Sequence, residues 1–265
     1  MQTAPVSHPG TILVRRPSAR LADGEVTHIE RADAVDIDLA RQQWSAYVDA
    51  FVSHGWDVVE LPELPEHPDG VFVEDVVVMF DTLAVVTRPG AESRAGEIAG
   101  IAEQMAALGC SVGRITAPGH LDGGDVLKVG RTVYVGMGGR TDAAGIAQLR
   151  DLVKPLGFEV VAVPITKALH LKSAVTALPD GTVIGFDPVV DDPTVFDPYL
   201  SVPEEPGAHV VHLDHQTVVM TARTDQTRRL LEARGLRVVV GDIGEVEKLE
   251  GCVTCLSVRL RHRVG

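Results

Sequence analysis

PLGFEVVAVP, residues 155–164, carries the end of a helical pattern through Gly157 and straight into a β-branched strand, and the chain does this four times. The other copies are SHGWDVVELP (53–62), ALGCSVGRITAP (107–118) and ARGLRVVVGD (233–242). In each, a glycine (55, 109, 157 or 235) stands where a left-handed residue ends a helix. The valine-rich run that follows reads as a buried strand. Strand–turn–strand patterns precede the helices. They are VEDVVVMFDTLAVVTRPG (73–90), DVLKVGRTVYVG (125–136, turning at Gly130-Arg131), AVTALPDGTVIGF (174–186, turning at Asp180-Gly181) and HVVHLDHQTVVMTA (209–222, turning near 214–216). Ser93 opens the helical run 93–109, and Thr141 or Asp142 opens 141–157, all good N-caps.

The unit is therefore hairpin, helix, strand. Three copies are clear, and a fourth near 193–211 has a weak helix broken by prolines. A fifth would close a ring by joining C-terminal strand residues 253–261 to the N-terminal strand 11–14, the helix 36–54 and the strand 57–61. Units that cannot bury their own faces must stack, and a circle of about five brings strand ends around a central cleft. An ordinary mixed α+β sheet is the alternative.

The bulk numbers fit a folded, soluble chain. It has 265 residues, 45% apolar, a mean hydropathy of +0.13 and a formal charge of −13. That charge disfavours nucleic acid and is compatible with a cationic partner. No apolar run of about 18 residues predicts a membrane span, and MQTAPVSHPG lacks the pattern of a secretion signal. Three cysteines do not make a disulfide framework, and a reducing cytoplasm fits them best.

Four features could carry chemistry. Glu74 and Asp75 interrupt an apolar run that reads as a strand, so one would face each side. A buried carboxylate needs a cation or several donors, which makes the pair either a salt bridge or a clamp for a guanidinium or ammonium group. Asp122 precedes Gly123 and Gly124 in LDGGD; a plain turn explains this, but the glycines would also let backbone approach a ligand, with Asp122 as partner to a histidine. His170 lies between leucines, where a packed core histidine is the ordinary reading, though it titrates near neutrality. Cys255 sits in LEGCVTCLSVRL, which reads as a strand. Cys252 and Cys255 form C-x-x-C, but zinc lacks its other ligands here and the thioredoxin pattern opens a helix. Burial as small apolar residues accounts for Cys110 and Cys252.

Taken together, FVEDVVVMF, TRPGAESR, LDGGDVL, GGRT, LHLKS and LEGCVTCLSV resemble the dimethylarginine dimethylaminohydrolase family of the guanidino-group-modifying superfamily, in order over nearly the whole chain. The resemblance implies an α/β fold of pentein type, a five-bladed α/β propeller of ββαβ units, pseudo-fivefold around a central active-site cleft, with residues 1–265 as one catalytic domain. It implies hydrolysis of Nω-methylated arginines to citrulline and dimethylamine or methylamine. Carried over by position, Cys255 is the nucleophile, His170 the general acid/base and Asp122 its orienting acid. Glu74 and Asp75 match the guanidinium carboxylates, and Arg94 and Arg140 the holders of the substrate carboxylate. Asp69, with backbone near Leu21 and Leu249, matches the α-amino site. Arginine deiminases resemble this family but carry an acid two residues after the histidine. Here that position is Lys172, which fits a methylated substrate. Neither metal nor organic cofactor is implied, and the oligomer would be a monomer or homodimer. Other amidine hydrolysis, arginine deiminase-like activity, non-catalytic binding of cationic amino acids, and a zinc or redox role for Cys252 and Cys255 remain alternatives.

Overall fold

The computed structural model describes residues 9–30 and 34–261. Its strands form five separate three-stranded sheets. The first holds β1 (Thr11–Val14) and, after α1 (Ile37–Val52), β2 (Asp57–Glu60). The second holds β3 (Val77–Phe80), β4 (Leu83–Val86) and, after α2 (Ile101–Ala107), β5 (Ser111–Arg114). The third holds β6 (Val126–Val129), β7 (Thr132–Met137) and, after α3 (Ala143–Val153), β8 (Glu159–Pro164). A single turn, α4 (Leu171–Ala174), leads into β9 (Val175–Ala177), β10 (Val183–Gly185) and β11 (Tyr199–Ser201). The fifth holds β12 (Val211–His212), β13 (Thr217–Thr221) and, after α5 (Asp225–Ala233), β14 (Arg237–Gly241). After α6 (Gly244–Glu247), β15 (Val258–Leu260) returns to pair antiparallel with β1.

Each sheet has the same grammar: an antiparallel pair, then a parallel strand after the crossover. Three strands cannot bury both their faces, so neighbouring sheets share cores. Leu13, Leu61, Val258 and Leu260 from the first sheet pack with Val77, Ala84 and Val86 from the second. Successive clusters join the second sheet to the third, third to fourth, fourth to fifth, and fifth back to first. In β1 the alternation is visible: Ile12 and Val14 face the fifth-sheet side, Leu13 the second-sheet side. This is the expected five-bladed ring.

Gly55, Gly109, Gly157 and Gly235 have φ of +82°, +78°, +79° and +88°, the left-handed helix stops read from sequence. Asp142 caps α3, accepting from Gly145 N at 2.7 Å. Ser93 caps nothing: residues 92–98 form a 3-10 turn and α2 starts only after Gly100, whose φ of +75° breaks the helical path. In the fourth unit, 3-10 turns at Asp187–Val189 and Pro193–Val195 replace the helix, as its prolines predicted.

Two expected strands are shorter than read. Glu74 and Asp75 lie in a 3-10 turn, Val73–Asp75, and β3 begins at Val77. The turn follows another at Pro68–Val71, and its Asp75 N–H bonds the Phe72 carbonyl, 3.2 Å. Both carboxylates are thereby buried, not alternated across a sheet. Likewise Cys255 sits in a turn before β15, closed by its N–H to the Cys252 carbonyl, 3.1 Å. β15 contacts β3 and β6 contacts β9, so in these four units the antiparallel strand lies on the inner side of the ring. Cys255, Asp75, Asp122 and His170 each stand in or beside the turn that leads into one of these inner strands.

Candidate active site

At that end of the ring lies a half-open cavity, with about 350 Å³ of empty space that runs into open solvent, bounded by residues that include Asp69, Asp75, Arg94, Arg140, Leu249, His170 and Cys255. Seven of the sequence candidates thus meet there. Asp122 lies just behind His170, while Glu74 and Leu21 are not among the lining residues.

His170 is buried, with Nε2 3.0 Å from Asp122 Oδ2 and Nδ1 3.9 Å from Asp75 Oδ1. Burial favours the neutral ring, but the charge of Asp75 and the hydrogen bond to Asp122 outweigh it and raise the pKa to about 9. His170 is therefore an imidazolium at neutral pH. Burial would raise the Asp75 pKa, yet His170 and Arg94 hold it down at about 2. Arg94 Nη1 donates to Asp75 Oδ2 at 2.6 Å, and Gly124 N to Oδ1 at 2.9 Å.

Gly123 and Gly124 permit a close approach, though not to a ligand. A Cβ on Gly124 would stand 2.5 Å from His170 Nδ1 and 2.7 Å from Asp75 Oδ1, and one on Gly123 would stand 1.9 Å from the Glu74 carbonyl. The glycines let the backbone fit between the site's own side chains. Asp122 is wholly buried; its Oδ1 accepts from Gly90 N at 2.8 Å while Oδ2 meets His170. The grouping of Asp75, Asp122 and His170 is compact enough for a metal ion. In the structure His170 Nε2 donates to Asp122 Oδ2 at 3.0 Å and Asp75 Oδ2 takes Arg94, so the three groups serve one another.

Glu74 departs from the expected two-carboxylate clamp. Its Oε1 is 2.6 Å from Lys172 Nζ and its Oε2 accepts from Thr254 Oγ1 at 2.8 Å. Burial raises its pKa, and the Lys172 charge works against that. Of the Glu74–Asp75 pair, then, only Asp75 lines the cavity, and Glu74 is paired with a cation. Lys172 is its counterion.

Arg94 also differs from expectation. It is 4% exposed, and its N–H groups go to Glu97 (2.7 Å at the closest), Asp75 and the carbonyls of Asp69 and Phe72. Burial lowers its pKa, but Asp75 and Glu97 more than reverse this and raise it well above the usual arginine value. It serves chiefly to fix Asp75, leaving Arg140 as the more available cation. Arg140 Nη2 meets Glu25 Oε2 at 3.0 Å at the cavity edge. Asp69, whose pKa burial raises, accepts from Glu25 N–H. Leu21 packs in the core, its carbonyl accepts from Gly24 N at 3.0 Å, and it is not among the residues that line the cavity.

Sequence reading missed four acids. Glu97 orders Arg94, Glu25 meets Arg140, and Glu250 joins the lining. Asp125 accepts from Leu171 N at 2.9 Å and Thr141 Oγ1 at 2.6 Å, tying down the residue after His170; burial raises its pKa to about 6. Only Asp125 had a signal, its place in the quoted LDGGD segment.

Cys255 is 8% exposed and opens on the cavity; its Sγ lies 3.3 Å from Cys252 Sγ. The thiol–thiol hydrogen bond eases the first ionisation, lowering Cys252. That bond and burial raise Cys255, as do the nearby charges of Cys252, Glu74 and Asp75.

A five-bladed α/β ring with a thiol, an imidazolium and a buried carboxylate at its axial cavity defines a class, the guanidine-modifying propeller enzymes. A family model described as arginine deiminase matches residues 108–200. The N(G),N(G)-dimethylarginine dimethylaminohydrolase of Streptomyces coelicolor is 60% identical over 94% of this chain and 96% of its own. That of Pseudomonas aeruginosa is 34% identical over 94% and 98%. A solved structure of the Pseudomonas aeruginosa enzyme, a cysteine-to-serine variant complexed with citrulline, superposes with a TM-score of 0.87 at 33% identity, covering 94% of this chain and 98% of that one. The N-terminal domain of a cyanobacterial arginine dihydrolase shares the fold, with a TM-score of 0.84 at 19% identity over 97% of this chain and all of that one. The chain belongs to the dimethylarginine dimethylaminohydrolase family, hydrolases of C–N bonds.

Proposed function

We propose that this chain hydrolyses asymmetric dimethylarginine and monomethylarginine to citrulline and dimethylamine or methylamine. The observation that carries the reading is the 60% identity to a family member over almost the whole chain, aligned with a cavity that joins Cys255, His170 and Asp75.

The guanidinium binds against Asp75, which has accepting capacity left beyond Arg94 and Gly124. Arg140 takes the substrate carboxylate, and Asp69 with backbone near Leu249 takes the α-amino group. A cationic substrate favours ionisation of Cys255, which the free protein disfavours. The thiolate attacks the central guanidinium carbon, and His170, held by Asp122, gives its proton to the departing amine. Water then attacks the covalent thiouronium, His170 takes its proton, and collapse releases citrulline with the thiolate restored. Glu74, paired with Lys172, stands below as a positioning group.

Incubation with asymmetric dimethylarginine and with arginine, followed by citrulline assay, tests this. Citrulline from the methylated substrate is expected. Citrulline mainly from arginine would favour the second reading, to which the arginine deiminase model over residues 108–200 points. None from either would leave a binding role or another guanidino compound. Cys255→Ser should lower turnover by at least about a thousand-fold while the fold persists.

No helix among the described residues is long and apolar enough to cross a membrane. We place the protein in the cytoplasm, with residues 1–265 acting as one catalytic domain without nucleic acid or cofactor, as a monomer or homodimer. The cysteine usage and the charge of −13 support this.

A further inference from the structure

Cys252 has no part in the reaction above, yet its Sγ is the sulfur 3.3 Å from Cys255 Sγ. The two residues end a turn closed by the Cys255 N–H to the Cys252 carbonyl, 3.1 Å. Turn ends of this kind lie within about 7 Å, Cα to Cα, which overlaps the span a disulfide bridges. Bringing the sulfurs to the bonded distance of about 2 Å takes a little over 1 Å of further approach, within reach of side-chain rotation. Their access differs. Cys255 lines the cavity, whereas Cys252 stands behind it, 3.2 Å from Thr254 Oγ1, and does not line the cavity. Cys110 belongs to the core between the first and second sheets and lies outside this pair.

We propose that Cys252 is a resolving thiol, which converts an oxidised Cys255 into a reversible Cys252–Cys255 disulfide. The inference rests on Cys255 being the nucleophile. The oxidant is a small hydroperoxide that enters by the cavity. The Cys255 thiolate attacks its terminal oxygen, the O–O bond breaks, and the alkoxide or hydroxide leaves with a proton, so that Cys255 becomes a sulfenic acid. The Cys252 thiolate then attacks the Cys255 sulfur and the S–O bond breaks. The departing hydroxide takes up the proton that Cys252 released, forming water and the disulfide. An external dithiol returns two electrons and two protons and restores both thiols. Linked sulfurs cannot attack a guanidinium, and a linked Cys255 is shielded from irreversible over-oxidation.

The test uses the full chain, reduced and then exposed to hydrogen peroxide, with citrulline production, intact mass and dimedone labelling read before and after dithiothreitol. Wild type should lose about ten-fold or more of its activity, lose the mass of two hydrogens, take no dimedone and recover nearly all activity with the dithiol. Cys252→Ser and, as a second variant, Cys252→Ala should instead take dimedone on Cys255 early in the exposure, then gain two or three oxygens as Cys255 passes to the sulfinic or sulfonic acid, and recover little of their own untreated activity after that longer exposure. Recovery of both variants as full as that of wild type, or dimedone on wild-type Cys255 with no disulfide, overturns the proposal. A disulfide that forms while citrulline production continues overturns the nucleophile reading instead, and the switch with it.

Discussion

His170 lies between two buried carboxylates, and its proton is part of what holds that cluster together. Its pKa is about 9 in the folded protein against the ordinary 6.5, so the folded state keeps a proton that the unfolded chain releases. The stabilisation is complete below pH 6.5, falls between 6.5 and 9, and is gone above about 9. Its size is up to about 3 kcal/mol. Denaturant midpoints measured from pH 6 to 10 should fall over that window in wild type and stay flatter in His170→Gln; equal slopes in both would refute the assignment. Lys172 and Glu74 make a second case. Lys172→Ala leaves Glu74 buried without a counterion and should cost about 3–5 kcal/mol, whereas Lys172→Met with Glu74→Gln should be much closer to neutral. Chemical denaturation of the three chains measures the difference. The sequence discloses Glu74 and Asp75 as charged residues in an apolar run, whereas Asp122, His170 and Cys255 read alone as a turn, a core histidine and a strand residue and take their roles only from the family resemblance. It does not disclose Glu97, Glu25 or Glu250, because each sits in ordinary polar surroundings. The partners of Glu25 and Glu250 are also 115 and over 200 residues away.

At the scale of elements, turns build the site and strands only support it. A one-turn 3-10 element presents Asp75, the turn at Gly123–Asp125 follows Asp122, and a four-residue helix follows His170. Periodicity recognises long repeats, so the valine runs were legible. The residues just before β3 and β15 read as part of those strands, because β-branched neighbours on both sides mask a single turn. Gly124 is the sharpest test of this packing. In Gly124→Ala the new methyl would collide with His170 Nδ1 and Asp75 Oδ1, so citrulline formation should fall about a hundred-fold with a stability loss of about 1–3 kcal/mol. Activity near wild type would mean that the turn is not held between those groups. Glu250 binds a loop across the cavity's rim. Its carboxylate accepts the main-chain N–H groups of Thr27, His28 and Ile29, from a backbone φ of +61°. The same loop carries Glu25, which meets Arg140 and Asp69. Glu250→Ala should raise KM about ten-fold and change kcat less, and steady-state kinetics with the methylated substrate checks the split.

The whole molecule is a ring with no covalent closure at one seam, where β15 pairs with β1 through Thr11–Leu260, Ile12–Arg259 and Leu13–Val258. The number of units was legible because four of the five end in the same helix–glycine–strand phrase, with a proline-broken unit between the third and the last, and the partner of the N-terminal strand followed from needing a fifth unit. Which faces meet was not legible, since every blade offers similar valines and leucines to both neighbours. Those shared cores make the ring cooperative: Leu260 lies in the cluster that ties the first sheet to the second, and β15 follows directly on the segment that carries Cys255. Leu260 is fully buried, so Leu260→Ala should destabilise by about 2–5 kcal/mol. If the ring unfolds as one body, circular dichroism and citrulline production should fall together along a single denaturant transition shifted to lower concentration. If activity vanished well before the helical signal, the seam would open alone and the blades would be separable units. The sharing of Leu13, Leu61, Val77 and Val86 across a single cluster argues for the first outcome, because opening the seam exposes the core of the second sheet together with that of the first.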